Sequence, residues 1–341
     1  MEIACVITTR GSHAKFKRIL ELRPDIRIIS NENAEDYFDR PHQWVSFYDD
    51  DSVSTATLGD ISMSIGEAIK EFTNAFFDKQ PDLVMLVGDR WETFAAATAA
   101  YTMRIPIAHL EGGEKSGSLD HGYRYAISQL SNYHFVCTEA AKTRLKFKKN
   151  VWNVGATSLD VLDDLREPHG HGGQLYLPPS KFLLVTFHPD TKADDNEQVL
   201  DSLIEGVMAV DMPAVWIAPN IDAGSQSIRD VLTKTGIPFH EGFPIEEYGW
   251  LMKNCACMVG NSSSGVREAA FLGTPNLTIG DRQTGRKSRN NAWIRNFLGD
   301  SNNIAAMINT QVGHGPYKPD HTYGDGHASE RILECLERVL S

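Results

Sequence analysis

Paired cysteines, a membrane-length apolar run and an excess of basic charge are all missing from this chain. Its five cysteines (Cys5, Cys137, Cys255, Cys257 and Cys335) are odd in number, scattered and form no CxxC pair, so neither a disulfide framework nor a zinc site is suggested. Four of them lie in apolar or helical surroundings and read as core filling. No apolar stretch approaches the ~18 residues of a membrane span. The opening "MEIACVITTR" lacks both a basic segment before its apolar stretch and a small-residue cleavage site, so the expectation is a cytoplasmic protein. Lysine and arginine number 33 against 45 acids, a formal charge of −12, which argues against nucleic acid or an anionic membrane as partner. A local basic pocket stays open. The phosphate-loop pattern GxxxxGK[ST] is absent, and so is a clean GxGxxG followed by an acid, so neither a P-loop nucleotide nor NAD is expected and no cofactor is implied. His169 and His171 resemble a metal pair, but without a neighbouring carboxylate or thiol they read as solvated loop, and no metal is expected. No low-complexity tract or short repeat appears.

What is present is an ordinary globular composition, 41% hydrophobic and 23% charged over 341 residues, longer than one core usually supports. Short β-branched runs at residues 3–8, 26–30, 83–87, 105–110 and 134–138 alternate with helical segments. Ile65, Ile69, Phe72 and Phe76 recur on one helix face, and residues 94–103 are rich in alanine. Such continuous strands with helical crossovers predict a parallel sheet covered on both faces. The tract "REPHGHGGQLYLPPS" at 166–180 breaks both periodicities, and the pattern then restarts with strands at 182–187, 214–218 and 258–260. Helices are expected near 195–210, 225–235, 245–254, 265–272 and 325–340. The expectation is an α/β chain of two Rossmann-like doubly wound domains facing across a cleft, with residues 1–168 and 181–318 as domains, 169–180 as linker and 319–341 as a C-terminal helical segment. Ligands bind such folds at the carboxyl ends of strands.

Five polar clusters fall at those ends: "GDRWE" with Asp89, Arg90 and Glu92; "HLEGGE" with Glu111 and Glu114; "TFHPDT" with His188; "PNIDAGS" with Asn220 and Asp222; and "GNSSSGVRE" with Ser262, Ser263 and Ser264. Each alone also fits a solvated loop or a helix N-cap. Together they form one rim. The serine turn offers backbone N–H groups, hydroxyls and the positive end of a helix dipole to a phosphate, with Arg267, Arg282 and Arg286 as forked donors; a plain serine cap with surface arginines is the other reading. The stretch "HLEGGEKSGSLDHGYRYAI" crowds acids among glycines and carries Asp120 and Arg124 four residues apart on one helix face. Trp91, Trp216 and Trp250 read as core packing.

These motifs, with "GDRQTGR" and a late "YGDGHA", resemble the hydrolysing UDP-N-acetylglucosamine 2-epimerases collinearly over about residues 5–335. That family includes bacterial sialic-acid-pathway enzymes and the epimerase domain of the bifunctional animal epimerase/N-acetylmannosamine kinase. The resemblance implies a glycosyltransferase-B-like fold, a UDP-sugar substrate, a homodimer or homotetramer, an amino-sugar or sialic-acid biosynthetic setting, and a C-terminal helix that crosses back to the first domain. It also implies the chemistry: UDP leaves C1 as the C2 proton is lost, and water then adds to the glycal with C2 reprotonated on the opposite face. Catalysis is thereby expected from Asp89, Glu111, Glu114, Asp120, His121, Arg124 and His188. UDP binding is expected from Arg10, Asn220, Ser262, Ser263, Ser264, Arg267, Glu268, Arg282 and Arg286.

Three departures stand out. Members of the family generally read Arg-Ala-Asp-Tyr where this chain has Arg10-Gly11-Ser12-His13, losing an acid. His121 replaces a carboxylate, and Tyr125 replaces a histidine. Four residues apart on a helix, His121 and Tyr125 are expected to meet and to keep an acid–base relay with altered sugar preference. Drift in an inactive homologue, a non-hydrolysing epimerase, a glycosyltransferase and a nucleotide-sugar sensor are the competing readings.

Overall fold

The computed structural model describes residues 1–31, 41–47, 57–169, 177–190, 196–220, 222–295 and 300–340. The first half runs β1 (Ile3–Ile7), α1 (Arg10–Leu22), β2 (Arg27–Ser30), β3 (Gln43–Trp44), α2 (Leu58–Asp78), β4 (Leu83–Val87), α3 (Trp91–Thr102), β5 (Ile107–Leu110), α4 (Asp120–Leu130), β6 (Tyr133–Val136), α5 (Glu139–Arg144) and β7 (Val151–Asn153). Its seven described strands are parallel in the order β3-β2-β1-β4-β5-β6-β7. The second half runs β8 (Leu183–Thr186), α6 (Asn196–Met208), β9 (Ala214–Ile217), α7 (Ser225–Lys234), β10 (Phe239–His240), α8 (Ile245–Asn254), β11 (Cys257–Gly260), α9 (Glu268–Leu272), β12 (Asn276–Ile279), β13 (Asn291–Ile294), α10 (Ser301–His314) and α11 (Ala328–Leu340). Its six described strands are parallel in the order β10-β9-β8-β11-β12-β13. In each sheet the strand order reverses beside the first strand, the topological switch point where a doubly wound fold opens a crevice.

The central strands are apolar end to end because helices cover both faces. β1 and β4 are buried at every position. One face of the first sheet packs on Phe16 and Ile19 of α1 and on Ile332, Cys335 and Leu336 of α11, so the last helix lies against the first sheet. The other face packs on Phe72 and Phe76 of α2, each fully buried and worth about 2–3 kcal/mol over exposure. Residues Ala156, Leu159 and Leu162 join the cluster beneath the second sheet, and Asp160 accepts from the backbone N–H groups of Ala328 and Ser329, capping α11. All five cysteines are buried, as are Trp91 and Trp216, while Trp250 is half-buried.

Several elements were not anticipated. β3, β7 and β10 are two or three residues long, too short to set up an alternation, and β12 and β13 interleave Asn and Thr with apolar residues. α5 buries only Ala141 and so carries no apolar stripe, whereas α1 buries Phe16, Ile19 and Leu20 and α10 buries Ile304, Ala305 and Ile308, stripes only two turns or less in length. Most of the expected linker, including His171, lies outside the described residues, and His169 is exposed. Among the described residues no helix is long and apolar enough to cross a membrane.

Candidate active site

Both sheets present the carboxyl ends of their strands to one crevice. A cavity of about 450 Å³ is lined from the first lobe by Arg10, Lys15, Asp89, Arg90 and Asp120, and from the second by His188, Asn220, Ser262, Ser263, Ser264, Arg267, Glu268 and Arg282. A smaller one of about 80 Å³ adjoins it, sharing Lys15, Asp89, Asp120, Ser263, Arg267 and Arg282, and adds Glu111, Arg124 and Arg286. Residues as far apart in sequence as Arg10 and Arg282 therefore meet at a single place.

On the first-lobe side, Asp120 opens α4 and Arg124 follows one turn later, which turns both toward the smaller cavity. The buried Arg124 ion-pairs with Asp89 and lies 3.5 Å from Glu114. Glu111 sits at φ 63°, in the left-handed region that few residues other than glycine adopt, at the turn that leaves β5. Its carboxylate meets Lys15 Nζ at 2.7 Å and Arg267 at 3.0 Å. Glu114 accepts from Arg286 Nε at 2.9 Å and from its terminal nitrogen at 2.7 Å. Burial alone would raise these acids. The facing cations more than offset it: Arg124 leads in holding Asp89 below the usual carboxylate range, Arg267 for Glu111 and Arg286 for Glu114.

Asp120 is the opposite case. Burial, then the charges of Asp89 and Asp222, push its carboxyl up to about 7, despite Arg90 and Arg282 nearby. One acid of the cluster is thus poised to exchange a proton near neutrality while three neighbours stay charged, the separation that acid–base catalysis uses.

On the second-lobe side, His188 Nδ1 accepts the Asn220 backbone N–H at 3.2 Å, and its own backbone N–H donates to Asn261 at 2.8 Å. Burial, reinforced by Arg282, lowers its pKa to about 3. The ring is neutral, with Nδ1 occupied as an acceptor, so Nε2 carries the proton. Arg10 reaches across the crevice from α1 to the Glu241 carbonyl at 2.7 Å and to Asn220 Oδ1 at 3.2 Å. Ser263–Gly265 form a single 3-10 turn after β11, and Ser262 caps it.

Several expectations change here. Arg267 and Arg286 do not stand free for a diphosphate: each is buried on an acid of the other lobe, a pairing over more than 150 residues that a local motif cannot reveal. Glu114 lines neither cavity and lies behind Arg286. Glu268 lines the larger cavity but accepts from Ser158 Oγ at 2.5 Å. The helix after the serine turn is only the five residues of α9, with Arg267 between turn and helix, so its dipole adds little. His121 is half-buried and lines neither cavity, and Tyr125 is 57% exposed, because positions one step round α4 from Asp120 and Arg124 face away. Ser12, standing where an acid was expected, closes a capping box: it accepts the Thr9 backbone N–H at 2.9 Å while Thr9 Oγ1 accepts that of Ser12 at 3.1 Å. Lys15 escaped the sequence reading, since a lysine within a helix carries no motif. Its signal was only its place on the same helix, five residues beyond Arg10.

The model of the UDP-N-acetylglucosamine 2-epimerase family matches residues 49–337. The UDP-N,N'-diacetylbacillosamine 2-epimerase (hydrolyzing) of Legionella pneumophila is 32% identical over 304 residues, covering 84% of this chain and 79% of that protein. The UDP-N-acetylglucosamine 2-epimerase of Neisseria meningitidis is 29% identical over 367 residues, covering 98% and 94%. Among solved structures, that of Methanocaldococcus jannaschii UDP-GlcNAc 2-epimerase in complex with UDP-GlcNAc and UDP superposes with a TM-score of 0.78 at 18% identity, covering 99% of this chain and 100% of that one. The two-lobed arrangement is that of a glycosyltransferase-B-like fold. The chain belongs to the UDP-N-acetylglucosamine 2-epimerase family.

Proposed function

We propose that this chain is a UDP-sugar 2-epimerase of the hydrolysing kind, most simply converting UDP-N-acetylglucosamine and water to N-acetylmannosamine and UDP. The observation that carries the reading is the meeting, in one crevice, of Asp120 with a pKa near 7 and of a neutral His188 beside the serine turn. The serine turn, Arg10 and Arg282 hold the diphosphate, and His188 donates through Nε2 to the departing phosphate. C1–O cleavage runs ahead, because the C2 proton is not acidic in the intact sugar. Asp89 and Glu111, held ionised, supply fixed negative charge as positive charge develops at C1. Ionised Asp120 takes the C2 proton, leaving the glycal, and water then adds its oxygen to C1. With the other carboxylates charged, the proton that returns to the opposite face of C2 is derived from solvent.

Hydrolysis is favoured by the likeness to the hydrolysing Legionella epimerase, and the Campylobacter jejuni GDP/UDP-N,N'-diacetylbacillosamine 2-epimerase (hydrolyzing), 31% identical over 241 residues, agrees. Those two relatives also support a second reading, in which the sugar carries a further acetamido group. The cytoplasmic setting rests on the reading of the opening residues, and the homodimer or homotetramer on family resemblance. The test is incubation with each UDP-sugar in deuterated water, followed by NMR. A free 2-epimer deuterated at C2 with accumulating UDP is expected. Deuterated UDP-sugar without free UDP would replace hydrolysis by reversible epimerisation. Binding without label or product would make the chain a sensor.

A further inference from the structure

Behind the serine turn lies a chain of hydroxyls that neither the motif nor the acid cluster accounts for. Tyr248 on α8 places its phenol oxygen 2.9 Å from Ser264 Oγ, and Ser264 Oγ lies 2.8 Å from Ser262 Oγ. Thr186, at the end of β8, also hydrogen-bonds the phenol. All four residues line the larger cavity. Ser262 Oγ already accepts the Ser264 backbone N–H at 3.4 Å as the cap of the 3-10 turn. With the Ser264 hydroxyl as a second donor to the same oxygen, the proton of Ser262 is left to point outward.

A bound diphosphate can only accept, and that sets the direction of the chain. It runs from Thr186 through Tyr248 and Ser264 to Ser262 and ends on the anion. Reversed, the outermost oxygen would turn a lone pair toward negative charge. Aligned hydroxyls in a partly dry site polarise one another, so the last donor is stronger than an isolated serine. Burial pushes the Tyr248 phenol up to about 12, so it keeps its proton and serves as a donor throughout the working range.

We propose that Tyr248 is a positioning residue for the diphosphate: it touches no reacting atom and acts by orienting Ser264 and, through it, Ser262. This rests on the reading that the serine turn holds the diphosphate of a UDP-sugar. The experiment measures the inhibition constants of UDP and of uridine for wild type, Tyr248→Phe, Ser264→Ala and the double variant, with circular dichroism as the check on folding. Tyr248→Phe is expected to weaken UDP about 5- to 10-fold, the loss of one hydrogen bond in a chain ending on a charged group, and to leave uridine within about twofold. In the Ser264→Ala background the phenylalanine substitution is expected to add nothing. Equal losses for UDP and uridine, or losses that multiply in the double variant, overturn the proposal while leaving the site reading intact. Wild type that binds uridine as tightly as UDP overturns both, because the serine turn then holds no diphosphate.

Discussion

Arg267 of the second lobe and Glu111 of the first form an ion pair at 3.0 Å with each side chain only 3% exposed, so the lobes are joined by charge withdrawn from water. Removing one member of such a pair strands the other, at about 3–5 kcal/mol. Lys15 would still hold Glu111 at 2.7 Å, which places Arg267→Met near the lower end, about 3 kcal/mol, by urea denaturation. Adding Glu111→Gln to that variant is expected to recover part of the loss. A cost under about 1 kcal/mol for Arg267→Met would mean that the pair is solvated in solution.

Asp120 gives the pH dependence of turnover. If it takes the C2 proton as a carboxylate, kcat/KM falls on the acid side of about pH 7, and no second limb arises from His188, whose pKa is near 3. Asp120→Asn is expected to lower kcat about 10²- to 10⁴-fold. Stability should move the other way. A carboxyl raised in the folded state binds its proton more tightly there than when unfolded, so it costs stability as pH rises from about 4 to 7. Asp120→Asn is therefore expected to be more stable than wild type at pH 8 and to lose that advantage by pH 4. An acid limb unchanged in the Asn variant would assign the limb to another group.

How far these groups were legible beforehand depended on distance in sequence. Asp120 and Arg124 share a helix face by spacing alone, and Asp89, Glu111 and His188 were found because parallel strands run apolar and then break into polar residues. What Arg267 and Arg286 face was not legible, since their partners lie more than 150 residues away and a formal charge does not name its counter-ion. Ser12 was read only as a missing acid, although Thr9 three residues earlier marks the capping box that it closes. The fold was legible where strands were long and buried. It was lost at β3, β7 and β10, which exist by pairing with neighbours and not by pattern.

Three buried histidines predict acid lability. Burial lowers His109 to about 4 and His134 and His188 to about 3, so each stays neutral in the fold while its unfolded form takes up a proton below about pH 6.5. Depressed values of this sign contribute stability above pH 6.5 that is lost as pH falls toward 3–4. Asp120 opposes them by one proton, leaving the unfolded chain with roughly two more protons near pH 5.5. The urea midpoint is expected to fall steadily from pH 7 to 5. His134→Gln, on β6 away from both cavities, should flatten that slope by roughly one proton while leaving kcat within about twofold. An equal slope in the variant would show that His134 titrates normally.

Two glycines of one segment should respond oppositely to alanine. At Gly117 an added Cβ would lie 2.1 Å from the Asp281 carbonyl oxygen, where the Gly117 backbone N–H also donates to the Arg282 carbonyl at 3.0 Å. Neither atom is the end of a flexible side chain, so the loops must part. Because Ser116, Ser118 and Arg282 line the smaller cavity beside this contact, parting them disturbs the site itself. Gly117→Ala is expected to lower kcat/KM at least about tenfold, the scale of a ~1 Å misplacement of reacting groups, with little change in helix content by circular dichroism. Gly122, within α4, meets nothing within 4 Å. Alanine there removes only backbone freedom from the unfolded chain, so Gly122→Ala should stabilise by about 0.5–1 kcal/mol at unchanged kcat/KM. If both variants behave alike, the contact between Gly117 and Asp281 does not persist in solution, and the two lobes meet elsewhere.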